Sequence, residues 1–198
     1  MTAQIADIYR YKKDEYKIIG MTKPMTFNPH DYGLEPQSRC TACWRGYWCE
    51  YDIRDNGLYL EKLFMFNRED KYPELNGVSV SPIEYQEGYV SSLNGMKRRK
   101  TSFPKYSGHR LYEGVNLFIQ YTGKILAGKN FLSQYYIHMG YQKFYAYEIV
   151  KEFIFEEGVL QDIVDHSDFA KSIRESIDLK DPSWKYKVST FELLLMDG

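Results

Sequence analysis

The sequence contains no apolar run approaching the ~20 residues that a bilayer-spanning helix needs, so no helical membrane span is expected. Its start, MTAQIADIYRYKKDEYK, lacks the basic opening, apolar stretch and small-residue cleavage site of a secretory signal. No export is expected. Cysteine is scarce: Cys40, Cys43 and Cys49 are the only three, an odd number within one short stretch. That is not a disulfide framework, and it fits a reducing cytoplasm. Charge excess is also missing, with 26 basic residues against 27 acidic ones for a net charge of -1. Any attraction to nucleic acid or anionic membrane must therefore come from a local patch. Catalytic signatures are absent too: there is no Gly-x-Ser-x-Gly elbow, Walker loop, dinucleotide fingerprint or His-Glu-x-x-His. The four histidines, His30, His109, His138 and His166, are scattered, and the paired Glu156-Glu157 reads as part of a hairpin turn beside Gly158. The balance leans away from an enzyme.

What the chain does have is tyrosine, 19 residues against 3 Trp within an aromatic share of 17%. Tyr suits a half-buried strand, its ring packed and its hydroxyl in water. With 198 residues, a single domain spanning 1–198 can hide roughly 70% of the surface its unfolded form exposes. Alternating apolar and polar residues over Ile5–Tyr11 and Tyr16–Met21, around a charged turn at Lys12–Glu15, read as a first hairpin. The clearest hairpin runs from Tyr47–Arg54 through Asp55-Asn56-Gly57 into Leu58–Phe66, because Asp, Asn and Gly tolerate the positive φ of a tight turn. A second copy is expected where Asn116–Tyr121 passes through Thr122-Gly123 into Lys124–Leu126, giving repeat units near 44–66 and 110–132. A third Ile-x-x-x-Gly, Ile154 to Gly158, marks a hairpin near 145–165. Shared ancestry and independent convergence on the same turn chemistry both remain open.

Between these units, Thr22–Arg39 is rich in Pro, Asn, Asp and Gly and reads as a long loop. Asn67–Glu113 reads as a connector with two short strands at Gly77–Tyr85 and Tyr89–Leu93. Ser167 is a candidate N-cap for an amphipathic helix with Phe169, Ile173 and Ile177 on one face. Asp181-Pro182 ends it, and Trp184–Met196 reads as a last buried strand. The expected fold class is mainly β, a β-rich α+β arrangement. Its antiparallel curved sheet or barrel-like sandwich is built from repeated hairpins, with one or two short helices.

The densest set of reactive and recognition side chains is Cys40 to Cys49. Cys40 and Cys43 have C-x-x-C spacing, Cys49 offers a third zinc ligand and His30 a fourth. Against zinc, Cys49 falls inside a strand, where alternate side chains face away. A redox role lacks the helix that usually follows such a motif. Small buried hydrophobes are the favoured reading of the three thiols, so no cofactor is expected and zinc is the alternative. Trp44, Arg45, Tyr47 and Trp48 read either as core packing or as a stacking surface for a ligand or partner. If the duplication holds, His109 and Arg110 match Cys43 and Trp44, and Arg45, His109 and Arg110 would cluster as an anion pocket at one sheet end. Lys97, Arg98, Arg99 and Lys100, followed by Lys105 and Arg110, form the one basic run, with Phe103 and Tyr106 interleaved. It is a solvated loop or, less expectedly, a nucleic-acid contact.

The stretch Thr41–Leu63, with Trp-Arg-Gly-Tyr leading into a hairpin that ends Leu-Tyr-Leu, resembles a motif of bacterial β-domain proteins that have no assigned chemistry. The resemblance implies a small bacterial cytoplasmic β-domain and transfers no catalytic residue. The expected function is that of a non-enzymatic binding protein, its partner another protein such as a toxin or regulatory subunit. The alternative is an enzyme or ligand-binding domain for a small anionic or phosphorylated substrate at the Arg45, His109 and Arg110 end.

Overall fold

The computed structural model describes residues 2–24, 27–91, 98–138 and 140–186. In chain order these form β1 (Ile8–Tyr11), β2 (Asp14–Met21), β3 (Tyr47–Arg54), β4 (Gly57–Met65), β5 (Tyr85–Ser91) and β6 (Arg98–Pro104). There follow β7 (Arg110–Phe118), β8 (Gly123–Phe131), β9 (Tyr147–Glu156), β10 (Val159–Asp165) and one helix, α1 (Ser167–Glu175). The turns explain three of the strand pairs. Lys12 at φ 57° reverses β1 into β2, Asp55 and Asn56 at φ 48° and 63° reverse β3 into β4, and Glu157 and Gly158 at φ 46° and 84° reverse β9 into β10. At the second and third turns, two successive residues of positive φ match the right-handed twist of the flanking strands.

Eight strands form one sheet in the order β10-β9-β8-β2-β1-β3-β4-β7, and Val159 of β10 also pairs with Gly57 of β4, so the sheet curls back on itself as a barrel. The architecture is mainly β, as the sequence indicates, but the sheet is mixed. The β1–β2 hairpin is inserted between β3 and β8, and β1 runs parallel to β3.

The expected second hairpin needs correction. β7 pairs with β4, from Tyr59 opposite Phe118 to Met65 opposite Arg110, whereas β8 pairs with β2 and β9. Thr122 does not take the left-handed conformation that Asp55 and Asn56 adopt, so the link crosses between neighbours instead of reversing. What the three Ile-x-x-x-Gly segments share is a place. The Ile119 N–H donates to Leu58 O, Gly158 N–H to Tyr121 O, and Leu58 N–H to Gly158 O, drawing all three to one end of the barrel.

The barrel interior is filled by rings. Tyr9, Tyr16, Tyr51, Tyr112, Tyr121, Phe153 and Phe155 are almost completely buried among Leu58, Leu60 and Leu63. Tyr9 lies 5.1 Å from Phe153, centroid to centroid. These tyrosines are therefore not half-buried, as expected, but core residues. Tyr112 donates its hydroxyl to Pro73 O and Tyr121 to Lys124 O, satisfying both at the barrel rims.

A second layer covers the outer face. Phe169, Ala170 and Ile173 of α1 pack with Leu126, Phe144, Tyr145, Val150 and Trp184, so the expected helix face is the buried one. Its cap differs: His166 holds the cap position, the Asp165 carboxylate accepts from Ser167 N–H, and the Ser167 hydroxyl accepts from Val150 N–H. Trp184 lies buried in a short turn over 182–186, and the rest of the expected last strand falls outside the described residues. The two strands expected between β4 and β7 are displaced along the chain to β5 and β6, which pair only with each other. Among the described residues no helix is long and apolar enough to cross a membrane.

Candidate binding site

The outer face of β2 is the floor of the site, and its pairing with β8 carries an irregularity. Ile18 pairs with Ala127 and Gly20 with Leu126, leaving Ile19 as an extra residue between them. Ile18 packs inside the barrel while Ile19 joins the outer cluster. Two irregular segments flank this floor. Residues 3–8 and 131–147 are tied by a Gln4 N–H bond of 2.9 Å to Gly140 O. The Gln4 amide donates to Thr41 O at 2.8 Å and accepts from Trp44 N–H at 3.1 Å, so residues 41–46 join the same scaffold.

Between these walls lies a cavity of about 370 Å³, bounded chiefly by Ile8, Ile19, Trp48, Phe131, Tyr136 and Tyr147. Gln142 also lines it, but its amide is held at both ends by the Ile137 backbone. Lys17 lies at the same cavity and is exposed. The two acids before it on β2 are both paired, Asp14 with Lys129 at 2.5 Å and Glu15 with Arg10 at 3.6 Å, and Lys17 itself has no ion pair or side-chain hydrogen bond among the described residues. A second cavity of about 260 Å³ shares Ile18 and Ile19 with the first and is bounded by Asp7, Met21, Arg45 and Tyr141. Exposed aromatic rings line both cavities, Phe131 and Tyr136 the first and Tyr141 the second.

Arg45, singled out in the sequence, sits at the second cavity with its donors committed. Its two terminal nitrogens grip both oxygens of Asp7, Nε donates to Tyr47 O at 2.7 Å, and the guanidinium stacks 4.7 Å from the Tyr47 ring. Asp7 also accepts from Cys49 N–H at 2.7 Å. Burial works against the Arg45 charge, but the Asp7 carboxylate more than offsets it and holds the guanidinium above its ordinary pKa. Trp44 is 56% exposed.

The remaining candidates have separate surroundings. His109 is buried between Trp48 and Phe66, with ring centroids 4.6 and 4.0 Å away, and its Nδ1 lies 2.8 Å from Tyr106 O. Only a protonated Nδ1 can bond a carbonyl, and burial lowers the pKa below 6.5, so the ring is neutral at pH 7. Arg110 donates to Ser81 O at 3.0 Å and stacks on Tyr72. Arg45, His109 and Arg110 thus share no hydrogen-bond partner. Trp48 is the link between regions: it lines the larger cavity, stacks on Phe64 at 4.8 Å and meets His109 edge-on.

Cys40 and Cys43 pack with Trp48 and Phe64, whereas Cys49 lies in the barrel interior, on the other face of β3. His30 is exposed in the turn over Pro29–Tyr32. Among the described residues no three His, Cys, Asp or Glu side chains are grouped to hold a metal. Burial pushes the Cys43 thiol up to about 11, and the Cys49 thiol higher still. The basic run lies on β6, with Arg98, Arg99 and Lys100 exposed; Lys97 is outside the described residues. A buried carboxylate the sequence did not flag, Glu152, lies 3.3 Å from Lys124 Nζ and 3.6 Å from His166 Nε2, and it lines neither cavity.

Asp7, Lys17, Ile19, Tyr136, Tyr141 and Tyr147 complete the site and were not among the expected residues. Asp7 alone carried a signal, as a carboxylate set between apolar neighbours in Ile5-Ala6-Asp7-Ile8. The others are brought in by chain segments remote from each other. No protein-family model, curated protein or solved structure matches this chain.

Proposed function

We propose that this is a non-catalytic binding protein that holds a small amphipathic anion, an apolar or aromatic body with a carboxylate or sulfonate head, in the larger outer-face cavity. The observation that carries the reading is the pairing of aromatic walls with a single uncommitted ammonium, Lys17. A cavity of about 370 Å³ is within the range that small ligands occupy. Apolar surface removed from water contributes roughly 25 cal/mol per Å², so the body supplies affinity and Lys17 supplies orientation. The amides at the wall, Gln4 and Gln142, are fixed to backbone groups, which suits a rigid container better than acid–base chemistry. Three unpaired cysteines are in keeping with a reducing compartment such as the cytoplasm.

The test is a titration with 8-anilinonaphthalene-1-sulfonate, whose aromatic body and sulfonate match the proposed chemistry, followed by fluorescence and native mass spectrometry. One-to-one binding is expected. Lys17→Glu, an exposed change, weakens it about five- to ten-fold, and Ala6→Trp, which fills the cavity, removes it. Binding unchanged in both variants, with circular dichroism showing each folded, overturns the proposal. A protein partner is the second reading, supported by the exposed Trp44, next in sequence to Arg45, and by the exposed Tyr141 at the smaller cavity. It predicts that Trp44→Ala leaves the dye titration unchanged.

A further inference from the structure

The β5–β6 ribbon stands apart from the barrel sheet in its pairing, its chemistry and its charge. Its seven paired residues per strand bond only within the ribbon. Residues 84–105 hold five basic side chains, Lys97, Arg98, Arg99, Lys100 and Lys105, against the two acids Glu84 and Glu87. The segment carries a surplus of three positive charges in a chain whose total is -1, so the remainder is at -4. Both acids are already neutralised, Glu87 by Lys100 at 2.7 Å and Glu84 by Lys105 at 2.5 Å. Arg98 and Arg99 are exposed and make no ion pair among the described residues.

The register adds a pattern to the charge. Tyr85 lies opposite Pro104, Glu87 opposite Ser102, Tyr89 opposite Lys100 and Ser91 opposite Arg98. Alternation along a strand places these residues on one face, with Tyr85 and Tyr89 separated by roughly 13 Å. The rings are 63% and 67% exposed, far more than the tyrosines of the barrel core. Exposed rings spaced along a strand and flanked by cations are the two components of single-strand recognition: bases stack on the rings while phosphates meet the basic side chains.

We propose that the β5–β6 ribbon docks a single-stranded nucleic acid, with Tyr85 and Tyr89 as stacking platforms and Arg98, on the same face, as a phosphate contact; Arg99, opposite Val90, lies on the other face. Charge complementarity selects an anionic partner, and the paired exposed rings favour bases over the carboxylates of an acidic polypeptide. The proposal is independent of the cavity and stands or falls without it.

The experiment is fluorescence anisotropy of a 5′-labelled twelve-nucleotide oligothymidylate with the full chain. One phosphate contact gives a salt slope near -0.7, so the affinity falls about 2.6-fold between 50 and 200 mM salt. Tyr85→Ala with Tyr89→Ala weakens binding by at least about five-fold for each ring, and Arg98→Glu weakens it about five-fold, more than Arg99→Glu on the other face does. All four positions are exposed, and circular dichroism confirms the fold of each variant. No binding at 50 mM salt overturns the proposal. So does binding that ignores the tyrosine pair, a duplex bound as tightly as the single strand, or displacement of the oligonucleotide by poly-glutamate at equal charge concentration.

Discussion

Replacing Asp7 by Ala removes one carboxylate that serves two elements at once. Its oxygens meet both terminal nitrogens of Arg45 and the Cys49 backbone N–H. Without it, the Arg45 charge remains beside the smaller cavity with no counterion and a buried strand amide loses its acceptor. Breaking a buried pair from one side costs about 3–5 kcal/mol, because the surviving charge is left uncompensated. Here the Arg45 side chain keeps 32% exposure against 6% for Asp7, so water recovers part of that cost. We expect a loss of about 3 kcal/mol, or about 6–12 °C in Tm for a chain of this size. Urea unfolding at pH 7 of Asp7→Ala, Arg45→Met and the double variant separates the causes. If the orphaned charge dominates, the double variant is more stable than Asp7→Ala alone, with a coupling of at least about 1 kcal/mol. A cost below about 1 kcal/mol for Asp7→Ala, or a double variant equal to the sum of the singles, refutes the reasoning.

Three further outcomes can be measured on the same protein. Gly158→Ala places a Cβ 2.4 Å from Ile119 O at φ +84° and is expected to cost at least about 3 kcal/mol. Gly140→Ala, at φ +68° with nothing within 4 Å, costs about 1 kcal/mol; equal costs in chemical denaturation would contradict the close approach of the turns. Burial lowers the His109 pKa below 6.5, so the unfolded chain binds the extra proton first as pH falls. Stability is therefore fully retained above about pH 7.5 and declines as pH drops through 6.5 toward the folded pKa, and His109→Phe flattens that slope in urea midpoints measured from pH 7.5 to 5. Thiol titration with Ellman's reagent at pH 8 labels Cys40 before Cys43 or Cys49, since a thiol at about 11 is about 0.1% ionised there; fast labelling of all three in the folded protein would refute that order.

The legible parts of the fold were those written locally. Asp55-Asn56-Gly57 and Glu157-Gly158 specify tight reversals by residue type, and the strands they join pair as read. Phe169 and Ile173 mark the buried side of α1 by spacing alone. Thr122-Gly123 looked similar but joins strands that belong to different neighbours, a choice made by hydrogen bonds to Leu58 and Gly158 far along the chain. β6 was hidden for the opposite reason. Arg98 to Lys100 lack the apolar alternation of a half-buried strand because the ribbon has no buried face to alternate against. At the candidate site, Trp44, Arg45 and Trp48 were legible as recognition-type residues, and Arg45 and Trp48 line its cavities. Asp7, Lys17 and Tyr141 acquire their roles only when segments 3–8, 17–21 and 131–147 meet.

The insertion of β1–β2 between β3 and β8 also sets a timetable for synthesis. β2 leaves the ribosome well ahead of its partner β8, with all the residues between Met21 and Gly123 still to be made. Until then one edge of β2, with Ile18, Ile19 and Met21, has no strand to bond. An unpaired edge bearing apolar residues is a template for association with other chains. Long-range pairing of this kind slows folding and prolongs exposure to aggregation. Slower elongation between β2 and β8, or a shortage of chaperones, should therefore lower the soluble yield more than the stability of the finished barrel would indicate.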